Sequence, residues 1–156
     1  MSDSATSNTG LLSSDKQKPE SEVTLPVIEF ESGIPGFSEA KKFVVVPMEQ
    51  GLRPFCRMIS LDQQGLQFLV VPPPFFFPDY EIEIDEETVE RLGFEDASEV
   101  VVLLIVDAKL PPENPTVNLL APIVFNKRTM AAAQIVLHGT DFSPETLLPR
   151  PTTGNF

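Results

Sequence analysis

Apolar residues along this chain gather in short runs broken by turn-forming residues. The runs occupy residues 23–30, 43–47, 55–61, 66–71, 80–84, 100–108, 117–120, 123–126 and 130–137. Between them stand Gly33, Pro35-Gly36, Gly51, Asp62-Gln63-Gln64-Gly65, and Pro111-Pro112 with Asn114-Pro115. Gly and Pro at such points supply the backbone angles that reverse an extended chain. Many short strands at this spacing predict a mostly β protein, a compact antiparallel barrel-like single domain with one or two short helices. The best helix candidate is Glu86–Leu92, with Asp85 as N-cap, acidic residues in its first turn and Gly93 as terminator. Further helical turns are expected to start at Ser98 and over 38–42.

Two segments say more than their length suggests. Residues 79–85 alternate strictly, and strand side chains point to opposite faces in turn. Asp79, Glu81, Glu83 and Asp85 therefore share one face, and Tyr80, Ile82 and Ile84 the other. Carboxylates spaced at about 7 Å along one face repel one another, and no core accepts them unpaired. That face must meet solvent or a cationic partner. Residues 100–106, by contrast, are apolar at every position, so both faces of that strand are covered.

Residues 1–21 are rich in Ser, Thr, Asp, Lys and Gln, with no aromatic, and cannot bury enough apolar surface to offset the entropy of ordering. They are expected to form a flexible tail before a single domain over 22–156. The 156 residues are 42% apolar and include 12 Phe, enough for a real core. There are 23 Asp and Glu against 11 Lys and Arg, a net charge of −12. Binding to phosphate backbones or anionic lipid depends on cationic side chains, so neither is expected as a partner. A basic protein is the natural complement, although negative charge also serves solubility alone. Cys56 is the single cysteine, which excludes an intramolecular disulfide, a CxxC redox pair and a multi-Cys zinc site. The first residues lack the cationic start and apolar run of a signal peptide, and 100–106 is far too short to span a bilayer. A cytoplasmic location is expected.

The search for chemistry returns little. His138 is the only histidine, and nothing marks the nucleophile and orienting acid that a triad needs. No GxSxG, GxxxxGK[ST] or GxGxxG is present, and Cys56 lies in Phe55-Cys56-Arg57-Met58, which carries no nucleophile signature. An EF-hand loop counted from Asp79 would need Gly at its sixth position, where Ile84 stands. Neither catalysis nor a cofactor is expected. The remaining oddity is aromatic: Phe75-Phe76-Phe77 follows Pro72-Pro73-Pro74 and leads into Pro78-Asp79-Tyr80. Three consecutive rings on an extended chain cannot all face one way. Either one emerges beside the carboxylates, as an aromatic docking anchor ringed by polar groups, or the loop folds back and all three plug a barrel end.

Three motifs carry a resemblance. Phe76-Phe77-Pro78-Asp79-Tyr80, after Leu69-Val70-Val71-Pro72, is similar to the FFPDY signature of the FliW family of bacterial flagellar assembly factors. Phe30-Glu31-Ser32-Gly33-Ile34-Pro35-Gly36-Phe37 resembles that family's F-x-x-G-[IL]-P-G-F. The third match runs from Thr116 through Asn118-Leu119-Leu120-Ala121-Pro122 to Asn126, followed by Gln134-Ile135-Val136-Leu137. Order and spacing agree over roughly 22–145. Pro72-Pro73-Pro74 departs from the usual single Asp-Pro, and Cys56 from a large aromatic.

The resemblance implies a barrel-like fold without catalytic activity, a cytoplasmic setting, and two protein partners, flagellin and the translational repressor CsrA. Exported flagellin would free the protein to capture CsrA, allosterically, and so relieve repression of flagellin translation. The carboxylates Asp79, Glu81 and Glu83 would then face the basic surface of CsrA, with Phe77 or Tyr80 as anchor beside Pro78. A second surface would lie around Asn118, Leu119, Ala121 and Pro122, although that stretch also reads as a core turn and strand. The rival class is a small-ligand-binding barrel or minor hydrolase, which would require a deep pocket with convergent polar groups. Direct RNA binding is disfavoured by the charge.

Overall fold

A computed structural model describes residues 25–111 and 113–149. The tail expected over 1–21 lies outside them, as does the end of the domain from 150. Among the described residues nine strands form one sheet: β1 (Val27–Phe30), β2 (Lys42–Pro47), β3 (Cys56–Ser60), β4 (Gln67–Val71), β5 (Val100–Asp107), β6 (Thr116–Val117), β7 (Ile123–Asn126), β8 (Ala131–Gln134) and β9 (Thr146–Leu147). β1 to β4 form an antiparallel meander. β4 then pairs with β5, β5 with β7, β7 with β8, and β8 returns to β1. A ring of seven strands results, with β6 and β9 appended beyond. The expected antiparallel pattern holds at every pairing but β8 with β1, which is parallel and joins Glu29 to Ala131 and Phe30 to Ala132.

The uniform apolarity of β5 has a clear cause. Its residues Val101, Leu103 and Ile105 join the core inside the ring, with Ile28, Phe30, Phe43, Met58, Val70, Ile123 and Phe125. Leu104 and Val106 point the other way, into a second core with Val71, Phe76, Val117 and Leu119. One strand thus walls two cores, and period-two alternation places apolar residues in both. Within the ring, Phe30 and Phe43 meet edge to face with centroids 5.5 Å apart, the geometry that the quadrupoles of aromatic rings favour.

Several expected elements differ in extent. Residues 80–84 are extended but belong to no strand. The run 117–120 shrinks to β6, because the Asn118 side chain accepts from the amides of Leu120 and Ala121 at 3.0 and 2.9 Å and bends the chain. β8 stops at Gln134, although Ile135 and Leu137 still donate to Pro122 and Leu120. Over 38–42 no helix forms: residues 38 and 39 make a turn and Lys42 already opens β2, whereas Ala97–Glu99 does form a 3₁₀ turn. In the loop after β1, Gly33 has φ +72°, and a Cβ there would stand 2.5 Å from the Ser38 carbonyl oxygen. Only glycine fits that approach.

The helix α1 (Glu86–Leu92) begins where expected: Asp85 Oδ1 accepts from the Thr88 amide at 2.7 Å. Gly93 ends it in the left-handed region. Its last carbonyls would otherwise lack partners, and the hairpin between β7 and β8 supplies them. Asn126 Nδ2 and Thr129 Oγ1 both donate to Leu92 O, at 2.9 and 3.1 Å, and Arg128 Nη2 donates to Gly93 O at 2.6 Å. Among the described residues no helix is long and apolar enough to cross a membrane.

Candidate docking surface

The segment between β4 and α1 carries most of the predicted site. After Pro72, residues Pro73–Phe75 coil into a 3₁₀ turn, with the amides of Phe76 and Phe77 donating to Pro73 O at 3.0 and 2.7 Å. A 3₁₀ turn rotates successive side chains by about a third of a circle, so the three rings are sent in different directions. Phe76 enters the second core at 5% exposure and meets Phe55 at a tilt of 40°, Phe77 is half-buried, and Phe75 emerges at 42%. One ring does emerge, but it is Phe75, whereas Phe77 and Tyr80, the rings expected as anchor, are half-buried.

Tyr80 is tied down. Its hydroxyl donates to Leu119 O at 2.7 Å and its ring lies 4.8 Å from that of Phe142. Burial pushes its phenol up to about 12. Beyond it the expected alternation holds: Glu81, Glu83 and Asp85 are exposed, and Ile82 and Ile84 are half-buried. Asp79 and Pro78 are also exposed. The Thr88 amide and hydroxyl hold the Asp85 carboxyl below the usual carboxylate range, with a smaller contribution from Arg91.

Phe77, Pro78, Tyr80 and Ile82 line one wall of a groove of about 400 Å³, with Pro72–Pro74 at its head and Val100, Val101 and Val102 opposite. The lining is predominantly apolar, and Asp79, Glu81 and Glu83 stand exposed along the segment that forms the wall. An apolar cleft rimmed by charge is the arrangement that protein-recognition sites favour. Sequence reasoning missed Ile82 and the β5 face as parts of this surface. The signal was present in the run 100–106, whose need for an outer cover is met here by the proline-aromatic segment.

The second predicted set is largely internal. Leu119 and Pro122 are buried, and Asn118 and Ala121 half-buried. Asn118 shapes the turn that presents Leu119 O to Tyr80, and Ala121 O accepts from Gln134 Nε2 at 3.0 Å. The structure therefore joins the two sets through the bond between Tyr80 and Leu119. His138 is exposed opposite residues 81–85. Burial raises the Cys56 thiol above its ordinary value, outweighing nearby Arg53, which disfavours the nucleophilic thiolate. Among the described residues no three His, Cys, Asp or Glu side chains converge to hold a metal.

The family model described as FliW protein matches residues 11–148. The chain belongs to the FliW family. It is 43% identical over 117 residues to the flagellar assembly factor FliW of Bacillus subtilis (strain 168), covering 75% of this chain and 81% of that protein. The corresponding factor of Clostridium novyi (strain NT) is 42% identical over 112 residues, covering 72% and 78%. A crystal structure of the flagellar assembly factor FliW superposes with a TM-score of 0.74 at 33% identity, over 80% of this chain and 87% of that one. The three resemblances noted in the sequence thus belong to a FliW-family barrel.

Proposed function

We propose that this chain is a cytoplasmic, non-catalytic flagellar assembly factor that acts as a partner switch. It binds flagellin, and when flagellin is exported it binds CsrA and antagonises CsrA repression of flagellin translation. The observation that carries the reading is the apolar groove beside β5 with its exposed carboxylates, set in a FliW-family barrel. A basic RNA-binding protein supplies the cations those carboxylates lack. The relatives are named as flagellar assembly factors, which agrees with the role.

In this reading the two parts of the surface act differently. The apolar wall of Phe77, Pro78 and Tyr80 contributes to complex lifetime through desolvated contact. Glu81 and Glu83, exposed on the same segment, steer the approach of a cationic partner and act chiefly on the association rate. Charges more than about 8 Å apart are largely screened at physiological salt, so steering must weaken as salt rises.

The test measures CsrA association at increasing ionic strength, for the native protein and for Glu81→Lys combined with Glu83→Lys. The expected native on-rate falls with salt, and the double variant binds more slowly while keeping its melting temperature. A flat salt profile, or an unchanged rate in the variant, removes this segment from the interface. Titration of flagellin against a preformed CsrA complex then tests the switch, which requires displacement.

A further inference from the structure

Seven strands close the ring, yet one edge is left open. β8 pairs with β1 only as far as Ala132, after which β1 turns away through the Gly33 loop. The chain of β8 runs on. Ile135 and Leu137 donate to Pro122 and Leu120, on the β7 side. Because successive amides of an extended chain point to opposite edges, those of Val136 and His138 point to the side that β1 has vacated. Neither backbone has a hydrogen-bond partner among the described residues. Val136 is also 55% exposed.

Across from this edge lies the extended segment 81–85. The two enclose a groove of about 500 Å³. The backbone groups of Glu81, Ile82, Glu83 and Ile84 likewise have no partner among the described residues. At about 3.3 Å per residue, this wall matches the length of an ordinary strand. Two facing stretches of extended backbone with unused donors and acceptors form a template for a further strand. Charge selects its composition. Glu81, Glu83 and Asp85 stand on one wall, with His138 on the other, and the nearby cation is Arg91 of α1.

We propose that this groove binds an extended, lysine- or arginine-bearing segment of a partner protein, which pairs with Val136 and His138 as an added strand and sets its cations against Glu81 and Glu83. The inference rests on the reading of the chain as a protein-binding module and deepens it by naming a backbone-mediated mode of docking. The site is distinct from the apolar groove beside β5, although Ile82 lines both.

The test uses an acetylated, amidated octapeptide of alternating Lys and Thr, titrated against the full chain at low salt. Three comparisons accompany it: the same peptide N-methylated at alternate residues, a Glu-Thr peptide of equal length, and the variant Val136→Pro. The Lys-Thr peptide is expected to bind, and the Glu-Thr peptide is not. N-methylation and Val136→Pro are each expected to weaken binding about tenfold or more, as loss of backbone pairing requires. Equal binding of native and N-methylated peptides overturns the proposal, whether or not Val136→Pro folds. Binding seen only after removal of residues 1–24 overturns it in favour of this chain's own leader. A dimer that forms with rising protein concentration and is lost in Val136→Pro overturns it in favour of a second copy. Failure of the peptide with CsrA and flagellin binding retained sinks this inference alone, whereas failure of all three ligands sinks the protein-binding reading with it.

Discussion

The grip of the β7–β8 hairpin on α1 admits a quantitative test. Leu92 O accepts two hydrogen bonds, from Asn126 Nδ2 and Thr129 Oγ1, and Leu92 is 4% exposed. Asn126 is fully buried, and its Oδ1 also accepts from the amides of Arg128 and Thr129 at 2.8 and 3.3 Å. Asn126→Ala removes one donor and one shared acceptor; at about 1 kcal/mol for each bond, with further cost for orphaned groups, the loss is about 2–4 kcal/mol. For a chain of this size that lowers Tm by roughly 5–15 °C. Thr129→Ala costs about 1 kcal/mol. Either single variant leaves Leu92 O with a partner. The double variant leaves a buried carbonyl with none, so its cost should exceed the sum of the singles by about 1 kcal/mol or more. Urea denaturation of all four proteins, with m-values checked for constancy, measures the excess. Additivity to within about 0.5 kcal/mol would refute the shared carbonyl as the reason α1 stays docked.

Other outcomes follow from single residues. Phe76→Ala should cost about 3–5 kcal/mol by emptying the second core, whereas Phe75→Ala, which removes a ring little more than half buried, should cost about 1–2 kcal/mol; urea midpoints for the pair compare buried and emergent rings directly. Tyr80 is the only tyrosine and the chain has no tryptophan, so ultraviolet difference absorbance reads its phenol without interference and should place its titration near 12. The folded state then holds a proton that the unfolded chain releases at about 10, and stability should fall as pH rises from there towards 12. Tyr80→Phe, which keeps the ring but loses the bond to Leu119, should remove the share of that decline owed to Tyr80 and leave the share owed to the raised Cys56 thiol. The Asp85 carboxyl is depressed in the fold chiefly by the Thr88 amide, so its contribution is present above the unfolded value of about 3.9 and lost as pH falls through the folded value. The difference in Tm between the native protein and Asp85→Asn should therefore shrink in acid.

Face periodicity was the most legible property of the chain. It placed Glu81, Glu83 and Asp85 outside and Ile82 and Ile84 against the body, and it required cover on both sides of residues 100–106. Local capping chemistry was equally plain: Asp85 and Gly93 bracket α1 at the residues where Asp and Gly are suited to do so. Alternation reports which way side chains point but carries no information about where backbone hydrogen bonds go. Residues 80–84 therefore read as a strand although they lack a paired neighbour. The sorting of Phe75, Phe76 and Phe77 depended on a 3₁₀ turn that the prolines permit but do not dictate. The bond from Tyr80 to Leu119 joins positions 39 apart, and a single sequence holds no trace of such a meeting. Asn118 was the exception: an Asn whose side chain reaches the amides two and three positions on is a recognisable strand terminator, and it could have shortened the expected run from 117.

The parallel pairing of β1 with β8 also governs how the molecule comes into being on the ribosome. Its partners, Glu29 with Ala131 and Phe30 with Ala132, are about a hundred positions apart, so the seam cannot close until β8 has been synthesised. Until then the meander from β1 to β4 has emerged with its first strand lacking a neighbour and with Ile28, Phe43 and Met58 short of their later partners Ile123 and Phe125. Contacts of such long range form slowly because loop closure precedes their reward. Slower translation between β4 and β8 would lengthen the interval in which these apolar residues stay short of their partners.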